Sequence, residues 1–186
     1  MAVVTTNAAQ GPGTLYIGLF GATEPADTAV NTTPASSAWT DLGGTQDGVK
    51  FTVDQTYSEM EFDQIVDRVG SRLTKRDFMV ETSLGEVTMA NFTYALNGGT
   101  TASGSGYKSY EPTFDSSATQ PTYRALIIDA YAENSYRRRI IVRKALSTDA
   151  TEMSYTKDKQ TLFPVKFAAH YVSSAIAPIH IVDATS

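Results

Sequence analysis

Between residues 48 and 96 the hydrophobic rhythm of the chain changes three times. Phe51, Val53 and Tyr57 fall on one side of a period-two pattern, with Lys50, Thr52, Asp54, Thr56 and Ser58 on the other. This alternation predicts a long, half-buried strand. The parity then reverses: Met60 and Phe62 become the apolar members and Glu59, Glu61 and Asp63 the polar ones. A one-residue slip of this kind is what a β-bulge or a strand end produces. Residues 63–76 are dense in charge and contain Gly70-Ser71, which predicts a long, mobile loop over about residues 62–76. Residues 77–83 return as a strand with Phe78 and Val80 on one face. Ser83 and Glu86 fit a capping box, and Leu84, Val87, Thr88, Asn91, Phe92, Ala95 and Leu96 follow helical spacing. A helix over about residues 84–96 is expected, stopped by Asn97-Gly98-Gly99.

The remaining pattern is mostly strand. Residues 122–132 and 136–147 flank Glu133-Asn134-Ser135 as a hairpin tip, residues 161–174 alternate, and residues 177–184 close the chain as a last strand. Pro164 belongs at an edge or a bulge because it donates no ladder hydrogen bond. Residues 100–120 read as a Gly- and Ser-rich loop, with Tyr107, Tyr110 and Phe114 as anchors. Residues 1–38 are chiefly Ala, Thr, Gly, Pro, Ser and Asn, apart from the apolar stretch at 14–20. They predict an extended N-terminal arm with one short strand, ordering on a neighbour, and a compact domain over 39–186 that begins at Trp39. The expected fold is mainly β: a β-sandwich or partial barrel of two packed antiparallel sheets with one flanking α-helix.

Composition refines this picture. A length of 186 residues suits one domain, and ten Tyr and eight Phe fit a strand-rich chain. The net charge of −5 argues against a protein that grips nucleic acid, though not against one past which DNA slides. The absence of cysteine favours assembly in a reducing cytoplasm. The first ten residues lack the pattern of a secretory leader. No apolar run reaches the roughly 18 residues of a membrane helix, so no membrane association is expected.

Catalytic chemistry finds little purchase. Only His170 and His180 could serve as bases, and both lie in apolar, alternating stretches with no nucleophile elbow nearby. Their spacing fits no metal-ligand pattern, and no glycine motif stands between a strand and a helix to hold a phosphate. No catalytic residue, metal or cofactor is therefore expected, and the chain reads as a non-enzyme. Asp54, Glu59, Glu61 and Asp63 look more like a water-facing sheet surface than a glycosidase pair. Arg137, Arg138, Arg139, Arg143 and Lys144 crowd nine residues, divide between two strand faces and are interrupted by Ile140, Ile141 and Val142. An acidic segment at 54–67 and a basic one at 137–144 suit head-to-tail contact between identical subunits, with those five cations as lateral contacts.

The stretches GTQDGVKFTVDQTY, DQIVDRVGSRLTKRD, SLGEVTMANFTYALN and APIHIVDA, spread over residues 39–183, together resemble the major tail tube protein of long-tailed, non-contractile bacteriophages, particularly those of actinobacteria. The resemblance implies a virion protein that forms stacked hexameric rings, four strands from each subunit joining a barrel around a lumen through which DNA passes without specific binding. It implies that Lys50, Thr52, Asp54, Thr56, Glu59 and Glu61 line the lumen. The loop carrying Asp63, Asp67, Arg68, Arg72, Lys75 and Arg76 would reach the adjacent ring. By analogy the partners are further copies, a tape measure, a tail tip and a tail terminator protein, and assembly takes place in the host cytoplasm. Two other readings stay open: the inner tube subunit of a contractile tail or injection machine, and a carbohydrate-binding β-sandwich adhesin module.

Overall fold

In the computed structural model, which describes residues 3–113 and 116–185, ten strands and one α-helix follow the chain. The strands are β1 (Thr14–Leu19), β2 (Trp39–Asp41), β3 (Thr45–Phe62), β4 (Ile65–Leu84), β5 (Thr100–Gly104), β6 (Tyr107–Glu111), β7 (Arg124–Tyr131), β8 (Arg137–Ser147), β9 (Phe163–Ala169) and β10 (Ile179–Asp183); α1 is Met89–Ala95. Two antiparallel sheets result, as expected for a mainly β fold. The larger runs β2-β1-β7-β8-β9-β4-β3 with β10 also on β8, and the smaller is the β5–β6 hairpin.

The large sheet supplies both packed layers by folding over. Strand β8 makes the corner: Arg138 to Val142 pair with β10, whereas Ala145 to Ser147 pair with β9. A Cβ placed on Gly13, next to β1, would lie 3.6 Å from Val49 of β3, although β1 and β3 stand near opposite ends of the strand order. Between the layers, Leu15, Ile17, Leu126, Ile128, Ile140 and Val142 meet Val80, Leu84, Phe163, Val165 and Phe167 in one buried core. A second cluster of Trp39, Ala125, Ile127 and Ile141 lies on the other face of β1, β7 and β8, covered by the chain leading to β2.

Several expectations change here. Strand β1 is not part of a detached arm; it sits between β2 and β7, with Leu15 and Ile17 fully buried. The compact unit therefore starts near Thr14, and even Gly11 packs under the ring of Tyr131. The helix is shorter than its periodicity suggested. Ser83 stays in β4, Thr88 is the N-cap whose hydroxyl accepts from the Asn91 N–H, and the Glu86 carboxylate accepts instead from Gly44 N–H at 3.1 Å. The reason is that β4 runs on to Leu84, which pairs with Phe163 of β9 and is buried in the core. Residues 100–111 form the β5–β6 hairpin rather than a loop, anchored where Tyr110 stacks on Phe92 and donates to Gly98 O. Phe114 lies outside the described residues. Pro164 meets its expectation, because β8 pairs only with residues 167–169 of β9 and leaves that edge free at 164.

Candidate assembly surface

The charged segment expected to be a loop is the outer half of a β-hairpin. Strands β3 and β4 pair from Thr45↔Leu84 out to Phe62↔Ile65, with the turn at residues 63–64. At about 3.3 Å per residue, residues 55–62 carry the hairpin on the order of 25 Å past its packed base. Three irregularities hid it from the pattern. Asp47 and Gly48, both at positive φ (64° and 75°), are inserted in β3. Thr74 is inserted in β4, its hydroxyl donating to Thr56 O at 3.0 Å. The register slips again between Met60 and Phe62.

At its base the hairpin is an ordinary sandwich layer: Val80 is buried, and Phe51 stacks on Phe78 with centroids 6.3 Å apart. Farther out, nothing among the described residues covers it. Val53, Tyr57, Met60, Phe62, Ile65, Val66, Val69 and Leu73 are each at least 41% exposed. Burying a side chain of this size contributes about 1.5–3 kcal/mol. Leaving the set half in water therefore forgoes roughly 10 kcal/mol, comparable with the whole net stability of a domain. An apolar surface of this extent marks an interaction site. The outer edge of β3 adds to it, since among the described residues β3 bonds only to β4 and leaves an unpaired edge along 18 residues.

The sheet face turned away from the core is polar. Lys50, Thr52, Asp54 and Thr56 share it, as the alternation predicts, but Glu59 does not. Strand β3 runs without an inserted residue from Val49 to Met60, so Glu59 keeps the parity of Phe51 and Tyr57, while Glu61 lies in the register slip between Met60 and Phe62. On the polar face, Glu81 stands between Lys50 (3.2 Å) and Lys166 (3.0 Å), and Lys75 reaches Asp77 at 2.6 Å. The Lys166 ammonium and then the Lys50 ammonium hold the Glu81 carboxyl below its ordinary pKa. The hydrogen bond to Asp77 raises that of Lys75. Glu81, Asp77 and Lys166 escaped the sequence reading because only cross-strand register brings them beside β3.

The loop residues are redistributed accordingly. Asp63 is in the turn, and Asp67, Arg68, Arg72, Lys75 and Arg76 are in β4. Arg68 pairs with Glu59 at 2.5 Å, and Arg76 lies 5.1 Å over the Phe78 ring. The basic run is largely consumed within the chain. Arg139, 2% exposed, is bidentate to buried Asp129 (2.7 and 2.8 Å) and donates to Ala29 O and Thr32 O. Arg143 is bidentate to Glu24, Arg138 to Asp183, and Arg137 lies 3.9 Å from Asp129. Lys144 sits 4.3 Å over the Tyr123 ring. Buried, with four N–H donors spent on Asp129, Ala29 and Thr32, Arg139 is not presented to a neighbour. The histidines are structural as well. His170 Nδ1 is 3.0 Å from Ala168 O with its ring edge-on to Tyr123, and His180 Nε2 is 3.0 Å from Asp27 Oδ1.

A family profile described as "Phage tail tube protein" matches residues 5–180. No curated protein matches. Among solved structures, a chain of the anti-feeding prophage baseplate, from a six-fold symmetrised cryo-EM structure, is similar at 10% identity and a TM-score of 0.44, covering 98% of this chain and 97% of that one.

Proposed function

This chain belongs to the phage tail tube protein family, structural proteins of the tail, and from that premise we propose that its copies close into hexameric rings stacked as the hollow tube of a long, non-contractile tail. DNA passes along the bore without specific binding. The observation that carries the reading is the β3–β4 hairpin, whose outer half exposes apolar side chains on both faces and whose long edge is unpaired. Copies of the same chain satisfy both needs: ring neighbours extend the sheet along the β3 edge, and the tip, with Met60, Phe62, Ile65 and Val66, packs on the next ring.

In this arrangement Lys50, Thr52, Asp54 and Thr56 face the bore, together with Asp77, Glu81 and Lys166. The lateral contact lies along β3 rather than on the arginines of β8. The tube is assembled in the host cytoplasm, with tape measure, tip and terminator proteins meeting it along its bore and at its ends. An adhesin role is not favoured, because the single Trp39 is buried with its indole donating to Thr23 O. The test replaces residues 57–73 by a two-residue turn and compares concentrated samples by electron microscopy. The intact chain gives hollow rods with a regular axial repeat; the trimmed chain stays folded by circular dichroism and gives none. Rods of normal length from the trimmed chain would overturn the assignment.

A further inference from the structure

Lys50, Glu81 and Lys166 stand directly opposite one another on three neighbouring strands, β3, β4 and β9. Each carboxylate oxygen of Glu81 holds one ammonium: Oε2 is 3.2 Å from Lys50 and Oε1 is 3.0 Å from Lys166. The Lys50 side chain is 70% exposed, so it is a cation at the open surface rather than a buried one. Lys166 has a second, weaker acidic neighbour in Asp149 at 3.7 Å. Farther along the same face, Lys75 is held by Asp77 and Asp54 is close by. The three lysines Lys50, Lys75 and Lys166 thus stand among four carboxylates, Glu81, Asp77, Asp54 and Asp149, in a chain whose net charge is −5. The arrangement neutralises each lysine locally instead of excluding lysine from the surface.

We propose that Glu81 masks Lys50 and Lys166 from polyanions, so that a phosphate backbone passing over β3, β4 and β9 finds no free ammonium to hold it. That this face lines a bore rests on the tube reading above; the masking itself is a property of the single chain. Binding of a lysine to a phosphate releases a condensed counterion, which makes affinity fall with salt at about 0.9 per contact on logarithmic scales. Removing the carboxylate frees Lys50 fully and Lys166 in part, because Asp149 remains.

The test uses monomer first. A short fluorescent duplex DNA is titrated with wild type, Glu81→Gln, and Glu81→Gln combined with Lys50→Gln and Lys166→Gln, over a series of NaCl concentrations. Glu81→Gln is expected to bind more tightly at low salt, with the salt dependence steeper by about 1–2. The triple variant should return to wild-type behaviour. Glu81→Thr, a strand former at a strand site, must give the same gain and guards against a folding artefact of the first variant. Binding and salt slope unchanged in both single variants overturn the proposal. A second arm asks whether rods of Glu81→Gln retain the duplex at low salt and release it at high salt. If the monomers gain affinity but no rods form from wild type, the tube reading fails and the masking stands. If rods form and the monomers show no gain, the masking fails alone.

Discussion

Asp129 and Arg139 face each other across β7 and β8, and a buried charge of either sign is tolerable only because the other is there. Removing one partner of such a pair typically costs about 3–5 kcal/mol, since the survivor is left uncompensated. Asp129→Ala should therefore lower stability by roughly that amount in urea unfolding, whereas Lys144→Gln should change it by less than about 0.5 kcal/mol. The contrast was not legible in the run of basic residues. Strand alternation assigns Arg139 a face but does not say what covers that face, and here residues 29–32 fold across it and supply two carbonyl acceptors. Exposed pairs behave differently. The hydrogen bond from Arg138 holds the Asp183 carboxyl below its ordinary pKa. Its stabilisation is therefore complete above the unfolded value of about 3.9 and is lost as pH falls through the lower folded value. Both side chains are about two-fifths exposed (42% and 37%), so the effect is small. Asp183→Asn should be slightly less stable than wild type at pH 6, and the two unfolding midpoints should converge in strong acid.

At the scale of elements, the strands of the core were readable and the hairpin was only half so. The residues 122–132 and 136–147, with their turn at 133–135, emerge as β7 and β8 because continuous Leu, Ile and Val leave no other reading. The alternation of residues 50–58 likewise survives as β3, but the parity change before Met60 is no slip in that strand, which pairs continuously from Val49 to Met60. Residues 65–76 failed because their pattern is broken by Thr74 and because their partners lie across the hairpin. Arg68, for example, looks like a solvated loop residue until Glu59 is placed beside it. The helix failed at its start for a related reason: Ser83 and Glu86 form a plausible cap on paper, while Leu84 has a stronger claim from the core. The hairpin tip offers a direct test of element function. Phe62→Ser with Val66→Ser should leave monomer stability within about 0.5 kcal/mol, because both side chains are already in water (58% and 105% exposed). Rod formation measured by light scattering should fall sharply.

For the whole molecule, the main surprise is how early the fold begins. Composition made residues 1–38 look unable to order themselves, and most of residues 3–38 are indeed exposed. Yet Leu15 and Ile17 enter the buried core between the layers, and two apolar residues at the right parity outweigh a polar neighbourhood. Deleting residues up to 10 should leave a folded protein by circular dichroism. Deleting up to 20 removes β1 and should abolish the cooperative transition, whereas Leu15→Ala alone should cost about 2–5 kcal/mol.

The two borders of the large sheet are unlike: β3 presents 18 residues at one side and β2 only three at the other. A two-fold pair joined along β3 would use up that border in both partners and leave nothing on which to continue. Any longer assembly must instead join one border to a different patch, always in the same sense. Such a structure has polarity, with a leading end and a trailing end that are chemically distinct, so that separate factors can start its growth and stop it.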